Sequence, residues 1–266
     1  MDDVVSRASA MADRGNYLRA LELLSNALKV ADDKSGVPGQ NRSLRHQIAF
    51  YQMPSGRINE AEVAFNELLA EAEQDLPPED EYLQVMRHNL ASCRRCRGDL
   101  PGALDQFRRI LCGRERCLGH DAMNTLATRG TIANIIAEMG DPAEAVRQSR
   151  SILADEERAL GADHSNTLST RRSLARHLAE SGHLGEAIDV LQALLPHLIR
   201  ALGAEHSDVL DARWDLARYH GQHGNRHEAL RQFQEILSDR DRIHGTGDES
   251  SKAARQELED LLAQHG

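Results

Sequence analysis

The four cysteines of this 266-residue chain have a spacing that resembles a zinc ligand set. Cys93 and Cys96 form a C-x2-C pair, and Cys112 and Cys117 form a C-x4-C pair. Four thiolates are a common donor set for structural zinc, provided that all four reach one ion. The helical repeat described below places the two pairs on the order of 10 Å or more apart along their helices. We therefore interpret the cysteines as small core or surface residues.

Three histidines near the C-terminal end have a spacing that suits a divalent metal. His220 and His223 share a face of one predicted helix, and His227 opens the next helix. His177 and His183 lie one repeat earlier. No carboxylate or cysteine completes the set at a suitable spacing, so we predict no metal site and no cofactor. A metal-dependent enzyme that uses the histidines is the last of three functional alternatives.

No other motif in the sequence predicts catalysis. The segment GTGDESSK, residues 245–252, contains glycines but lacks the residue order of a phosphate-binding loop. A nucleophile elbow, a paired set of catalytic acids and a dinucleotide-binding fingerprint are also missing from the sequence. We therefore expect a chain that is not an enzyme.

The elements that carry these residues repeat every 42 residues. The segments Leu160–Ala187 and Leu202–Ala229 are two close copies of one pattern. A glycine recurs through the whole chain, at Gly15, Gly56, Gly98, Gly140, Gly182, Gly224 and Gly266. Five residues after six of these glycines stands an alanine, at Ala20, Ala61, Ala103, Ala145, Ala187 and Ala229. Such periods are typical of arrays whose units bury their apolar faces on one another.

Numbered so that the glycine is position 15, each repeat predicts two helices. Positions 1 to 14 form the first helix, which the glycine ends, and positions 18 to about 34 form the second. Small residues at positions 8 and 20 allow the helices to approach closely. The predicted fold is all-α: one α-solenoid over residues 1–266, with repeats at about 1–41, 42–83, 84–125, 126–167, 168–209 and 210–251, and a capping helix at 252–266.

Three details of the helices can also be predicted. Asn124, Asn166 and Ser207 precede first helices and carry oxygens that could cap free N–H groups. Pro196 lies inside the second helix of the fifth repeat, where a proline removes a hydrogen bond and kinks the helix. Repeat one begins with Val4 and its apolar neighbours, so the N-terminal edge is a candidate surface for a homodimer.

Charge and composition limit the classes of partner that we expect. The formal net charge is -10, which disfavours nucleic acid and anionic membranes as ligands. The first residues lack the pattern of a signal peptide, and no apolar run is long enough to span a bilayer. We therefore expect a cytoplasmic chain with a protein or peptide partner.

The pattern resembles the tetratricopeptide repeat, in the 42-residue form of kinesin light chains and many bacterial proteins, actinobacterial ones among them. The resemblance rests on the small residue at position 8, the glycine at 15, the alanine at 20, the large apolar residue at 24 and the alanine or aliphatic residue at 27. Its most specific part is the LG-x-[DE]-H-S-x-x-L joint at Leu160–Leu168 and Leu202–Leu210. It implies a right-handed superhelix whose concave groove, lined by first helices, binds a peptide or a partner's helix, and it implies no catalysis.

One position departs from the family pattern. Position 4 is usually aromatic, but here it is arginine in six copies: Arg45, Arg87, Arg129, Arg171, Arg213 and Arg255. A ligand rarely shares the period of the protein, so we interpret recurring residues as structural. Arginine also recurs at position 33, as Arg116, Arg158, Arg200 and Arg242. The position-4 guanidiniums, on a half-buried side of the helix, should pair with carboxylates or carbonyls of neighbouring helices.

The ligand candidates are the groove residues that do not recur. At 100° per residue, positions 2, 5, 9 and 12 face away from the buried position 7. The candidates at positions 5 and 9 are Arg172, Arg176, Trp214, Arg218, Asn134 and His88. Arginines around an indole could hold an acidic or carboxylate-bearing segment with an apolar or aromatic anchor. The structural alternative is a solvated arginine face with a tryptophan that fills a gap between repeats.

These residues predict a non-catalytic module that binds a protein or peptide in its groove. The alternative from a different class is a regulatory or sensor part of a larger signalling or transcription-control assembly, in which the array relays ligand binding to an effector.

Overall fold

The computed structural model of the chain describes residues 2–12, 16–35, 41–77 and 80–244, together with 252, 255, 256, 258 and 259. These residues form twelve continuous α-helices and no strand. The chain divides into two compact units, Met1–Gly119 and His120–Gly266. Within each unit, consecutive helices pack against one another. None of the described helices is both long and apolar enough to cross a membrane.

The first unit contains three helix pairs: α1 (Asp2–Ala12) with α2 (Tyr17–Ser35), α3 (Arg42–Gln52) with α4 (Ile58–Asp75), and α5 (Glu81–Cys96) with α6 (Leu100–Leu118). One core cluster joins α1, α2 and α3 through Ala8, Leu24 and Leu44. A second cluster joins α3, α4 and α5 and includes Phe65 and Met86. Each pair therefore buries apolar surface against the next pair, as expected of stacked repeats.

The second unit continues the pattern with α7 (Met123–Glu138), α8 (Pro142–Ala159), α9 (Ser165–Glu180), α10 (Leu184–Leu202), α11 (Ser207–Gln222) and α12 (Arg226–His244). Its larger cluster joins α8 to α11 and includes Leu174, Leu191 and Leu216. A smaller cluster centres on Phe233, and Leu258 packs on it from the predicted capping helix. The rest of that helix lies outside the described residues.

The periodic alanines lie where the helices are closest. The alanines at position 20 are all inaccessible to solvent, and those at position 8 are at most 1% exposed. A larger side chain at either position would have to push two helix backbones apart. The small-residue pattern in the sequence is therefore a packing pattern, as predicted.

The recurring glycines end the first helices in a left-handed backbone conformation. Gly140 and Gly182 have φ of 93° and 85°, and Gly56, Gly98 and Gly224 are similar. A residue with a Cβ atom is strained in this conformation, which explains why glycine recurs at this turn. Gly15 and Gly266 lie outside the described residues.

The helix N-caps differ from the prediction. His164 and His206, from the repeated joint, precede α9 and α11, and the Nδ1 atom of each accepts a hydrogen bond from the backbone N–H two residues later, at 3.2 Å. Asn166 and Ser207 lie inside these helices, so the capping role predicted for their side chains is wrong. The extended backbone of the histidines directs their rings at the free N–H groups.

The prediction for Asn124 is also wrong. This residue lies inside α7, whose N-cap is Ala122, and Ala122 makes no side-chain hydrogen bond. Pro196 lies within α10, which continues from Leu184 to Leu202 without a break. A kink at Pro196 stays a prediction.

The position-4 arginines all have carboxylate partners, as predicted, and the partners alternate. In the second, fourth and sixth repeats the partner is position 30 of the same repeat, at 2.7 to 2.8 Å: Glu71 for Arg45, Asp155 for Arg129 and Asp239 for Arg213. In the other copies it is position 32 of the preceding repeat, at 2.6 to 3.0 Å: Glu73 for Arg87, Glu157 for Arg171 and Asp241 for Arg255. The second helices α4, α8 and α12 thus each form ion pairs with two arginines, one from the preceding and one from the following first helix.

The position-33 arginines also make structural contacts. Arg200 bonds Asp163 at 2.9 Å, and Arg242 bonds Glu205 at 2.6 Å. Both acids lie in the joints that precede α9 and α11. The prediction that recurring arginines maintain the repeat is confirmed for these residues.

Candidate ligand-binding site

Hydrogen bonds between neighbouring first helices of the second unit bring several predicted site residues together. Arg176 on α9 donates to Oδ1 of Asn134 on α7 at 2.7 Å. Arg172 on α9 donates to Asp215 on α11 at 3.2 to 3.3 Å. We call the surface at positions 2, 5, 9 and 12 of α7, α9 and α11 the first-helix face. Together with Asp215, at position 6 of α11, its polar side chains link α9 to both α7 and α11.

Two of the predicted arginines share a carboxylate that sequence reasoning missed. Asp215 accepts from Arg172 and also from Arg218, whose contact is 3.0 Å. Asp211 lies 3.7 Å from Arg172 and accepts from Arg240 at 3.0 Å. Part of the positive charge of this face is therefore neutralised within the protein, and an acidic ligand would compete with Asp215 for Arg172 and Arg218.

Arg176 has a different environment. Its NH2 group contacts the amide of Asn134 and, at 3.5 Å, Nε2 of His177. Its buried Nε atom has no hydrogen-bond partner, and among the described residues no carboxylate pairs with its guanidinium. Burial, and then the charge of Arg176, lower the pKa of His177 to about 4, so His177 is neutral near pH 7. Arg176 is therefore a cation without a direct ion pair among the described residues.

Trp214 packs inward as well as lining the face. Its ring meets the ring of Phe233 edge-on, with centroids 4.7 Å apart, and the guanidinium of Arg240 lies 4.9 Å from its ring centre. Trp214 is half-buried. The gap-filling role and the anchoring role are therefore both compatible with its position.

His88 belongs to the first unit. Its ring packs edge-on against Phe107 with centroids 4.9 Å apart, and burial, followed by the charge of Arg114, lowers its pKa to about 4. Its Nδ1 atom is buried without a hydrogen-bond partner. The structure thus places His88 as a neutral, half-buried ring in a different unit from the other five predicted residues.

The thiol and imidazole candidates for a metal are dispersed. Cys93 is buried, which raises the pKa of its thiol to about 11, whereas Cys96, Cys112 and Cys117 are exposed. His220 is 7% exposed and lies 3.4 Å from the amide of Asn225 through its Nδ1 atom. Over the described ranges, no group of three or more His, Cys, Asp or Glu residues could hold an ion.

Sequence reasoning missed a buried polar pair beneath the face. His177 is inaccessible to solvent, and its Nδ1 atom lies 3.0 Å from the hydroxyl of Ser149, which is 2% exposed. Ser149 stands at position 24, where the other repeats from the first to the sixth have leucine or phenylalanine. A serine at this otherwise apolar position was the signal in the sequence that could have predicted the buried polar pair. A cavity of about 150 Å³ lies beside the pair, bordered by Gly130, Asn134 and Glu156 among others.

A larger cleft of about 740 Å³ lies in the first unit between α4, α5 and α6. Its floor includes Leu69 and Leu90, and its rim includes Arg87 and Arg109. These arginines pair with Glu73 and Asp105 at 3.0 and 2.9 Å. The charges of these two arginines are therefore compensated locally.

Comparison with known proteins agrees with the geometry. The tetratricopeptide-repeat family matches residues 124–198 and 209–250, and no curated protein matches the chain in sequence. Similar solved structures include a Podospora anserina protein with nearly identical kinesin-light-chain TPR-like repeats, which is 22% identical with a TM-score of 0.62 over 77% of this chain and 96% of that one.

Two further solved structures share the fold. BtubC from P. vanneervenii is 16% identical, with a TM-score of 0.63 over 87% of this chain and 91% of its own. A Rap protein in complex with competence and sporulation factor is 12% identical, with a TM-score of 0.67 over 91% of this chain and 70% of its own. Together with the sequence matches and the stacked helix pairs, these similarities lead to one conclusion: the chain contains tetratricopeptide repeats and has their helical fold.

Proposed function

We propose that the second unit is a non-catalytic binding module that holds an acidic segment of a protein or peptide on its first-helix face. The observation that carries the proposal is Arg176. A half-buried guanidinium with a buried N–H lacking an acceptor, and with only neutral partners among the described residues, is a strong site for a carboxylate. The Rap protein, which has the same fold, is described in complex with competence and sporulation factor, and this precedent supports a binding role.

Arg172 and Arg218 would extend this site along the ligand. Both already bond Asp215, so they gain less from a new carboxylate than Arg176 does. Trp214 offers the exposed part of its ring to an apolar or aromatic side chain next to the acidic one. A segment with an acidic residue for Arg176 and an anchor for Trp214 fits these side chains best.

The test is selection of a random peptide library on the full chain, followed by sequencing of the retained peptides. We expect enrichment of Asp and Glu, and loss of that enrichment on Arg176→Glu. Arg147→Glu is the matched control, because it makes the same charge change on the same unit at a side chain that is 67% exposed and pairs with Glu144 on α8. Both variants should retain the helical circular dichroism of the parent.

Two results would contradict the proposal. Retained peptides without acidic enrichment would mean that the face does not select anions. Equal retention of acidic peptides by the parent and by Arg176→Glu would move recognition away from Arg176. A regulatory part of a larger assembly stays a prediction, since no described feature favours it over simple binding.

A further inference from the structure

The cavity of about 150 Å³ in the second unit lies between α7, α8 and α9 and opens on the first-helix face. Its walls include Gly130 and Asn134 of α7, Ser149 and Glu156 of α8, and Ser173 of α9. It adjoins the proposed anion site, because Asn134 both lines the cavity and accepts the hydrogen bond from Arg176.

The cavity exists because two packing residues are small in this repeat. In the second, third and sixth repeats, a ring at position 5 packs on a ring at position 24 with centroids 4.7 to 5.9 Å apart: His46 on Phe65, His88 on Phe107 and Trp214 on Phe233. In the fourth repeat these positions are Gly130 and Ser149. Both rings are missing at once, and the space that they would fill is open.

Packing does not require the glycine. A Cβ atom added at Gly130 would meet nothing within 4 Å, and its φ is not in the left-handed region. A glycine inside a helix costs about 0.5 to 1 kcal/mol relative to alanine. The chain therefore carries a local cost at Gly130 that packing does not explain, and a glycine also lets a ligand approach the backbone closely.

The chemistry of the walls selects a hydrogen-bond donor with positive charge. Glu156 is 1% exposed, and its Oε2 atom has no hydrogen-bond partner. Burial raises the pKa of Glu156, and Thr170, which also lines the cavity, donates to the carboxylate. The other polar walls are hydroxyls and amides, and none of the lining residues is lysine or arginine. Arg129 and His164 act electrostatically on Glu156 from outside the lining, but neither bonds its Oε2 atom, so the buried carboxylate has a free acceptor for a cation that enters the cavity.

We propose that the cavity binds the ammonium or guanidinium group of an organic cation, supplied by a basic side chain of the segment whose acidic group meets Arg176. In this form the inference rests on the proposed function. A cavity of about 150 Å³ can hold a ligand of the size of benzene, so a guanidinium group fits. The shared wall at Asn134 places the cation site next to the anion site, so the partner would carry basic and acidic residues close together.

The first experiment measures the cation site without any peptide. Methylguanidinium is titrated into the full chain labelled with ¹⁵N, and amide shifts of residues around the cavity are followed by NMR. N-methylurea has nearly the same shape without the charge and is the reference ligand. We expect methylguanidinium to bind about tenfold or more tightly than N-methylurea, since a hydrogen bond to a charged group is markedly stronger than a neutral one.

Three variants locate the effect. Glu156→Gln should remove the preference for the cation, and Gly130→His, which restores the ring found at this position in two other repeats, should abolish binding of both ligands. Glu144→Gln is the matched control, because Glu144 lies on the same helix but bonds Arg147 and Gln148 outside the cavity. If Glu156→Gln does not fold, Gly130→His decides, and Gly130→Ala, which should retain binding, is its control, because a Cβ atom at this position meets nothing within 4 Å.

The outcomes separate this inference from the proposed function. Equal binding of methylguanidinium and N-methylurea, or unchanged binding in Gly130→His, would overturn the cation site even if acidic peptides still required Arg176. Enrichment of Lys or Arg near the acidic residue of selected peptides, lost in Glu156→Gln, would support a partner's side chain. Methylguanidinium binding without such enrichment would support the cation site and overturn its assignment to the partner, leaving a free organic cation as the ligand.

Discussion

The buried pair of His177 and Ser149 makes the stability of the second unit depend on pH. His177 is inaccessible to solvent, and burial, followed by the positive charge of Arg176, lowers its pKa from 6.5 to about 4. Between these values the unfolded chain binds a proton at this residue and the folded chain does not. The folded state is therefore destabilised as the pH falls through this range.

The size of the effect follows from the shift. One pKa unit corresponds to about 1.4 kcal/mol, so the shift at His177 amounts to about 3 kcal/mol once the pH is below 4. At pH 5 about 2 kcal/mol of this is already lost, and above pH 7 none is lost. The contribution is thus complete above the unfolded pKa and absent below the folded one.

The assay is urea unfolding of the parent and of His177→Asn at several pH values from 7.5 to about 4. Asparagine keeps a polar atom near the position of Nδ1 for Ser149 but does not titrate. The free energy of unfolding of the parent should fall by about 2 kcal/mol more than that of the variant between pH 7.5 and 5. Parallel pH profiles, or an NMR titration of His177 with a pKa near 6.5, would refute the assignment of a lowered pKa to this residue.

Three further experiments test the packing of the repeat. Gly182→Ala should destabilise the chain by about 1 to 2 kcal/mol in thermal or urea unfolding, because φ is 85° at this turn and a Cβ atom is strained there; no loss would mean that the turn can relax. Ala187→Leu should cost about 1 to 3 kcal/mol by overpacking a fully buried contact, whereas Ala193→Leu on the exposed side of α10 should cost little. A double-mutant cycle on Arg129 and Asp155, which bond at 2.7 Å with 23% of each side chain exposed, should give a coupling of about 0.5 to 1 kcal/mol; a coupling of zero would contradict their role in fixing the repeat.

Much of the fold could be predicted because the residues that each turn and each helix contact require recur in every repeat. The turn at Gly182 and the contact at Ala187 each recur every 42 residues, and each has one physical cause, a left-handed turn or a close helix approach. The helix caps could not be predicted from residue type alone. Asn166 is a better capping residue by type than His164, but the helix begins at Ser165, so the histidine has the extended backbone and the access to free N–H groups.

The candidate site was predictable only in part. Position on the helix was enough to place Arg176 and Asn134 on the same face, since both stand at position 9 of adjacent repeats. It could not show that Asp215 neutralises Arg172 and Arg218, because Asp215 stands at position 6, outside the predicted groove positions, and side-chain reach decides the contact. The charge balance of a binding face depends on such contacts between repeats, which a pattern within one repeat does not contain.

The alternating ion pairs suggest how the fold tolerates a special site. On α4, α8 and α12, the acids at positions 30 and 32 each form an ion pair with an arginine of a neighbouring first helix. These pairs recur every 84 residues. The acids at position 30 are Glu71, Asp155 and Asp239, and those at position 32 are Glu73, Glu157 and Asp241. The two pairs link each second helix to the first helices on either side of it. Position 31 lies between them and is buried in all three helices, as it is in α6 and α10, where Arg114 and Leu198 stand at this position.

The residue at position 31 differs in each of these three helices. It is Ala72 in α4, Glu156 in α8 and Arg240 in α12, and all three are less than a tenth exposed. Arg240 lies over the ring of Trp214 at position 5, and Glu156 lines the cavity left open by Gly130 at the same position. A variable buried residue therefore lies beneath the first helices, between two recurring ion pairs. The chemistry at positions 5 and 31 changes from repeat to repeat while the ion pairs recur, and in the fourth repeat it has become an open space with an unsatisfied carboxylate.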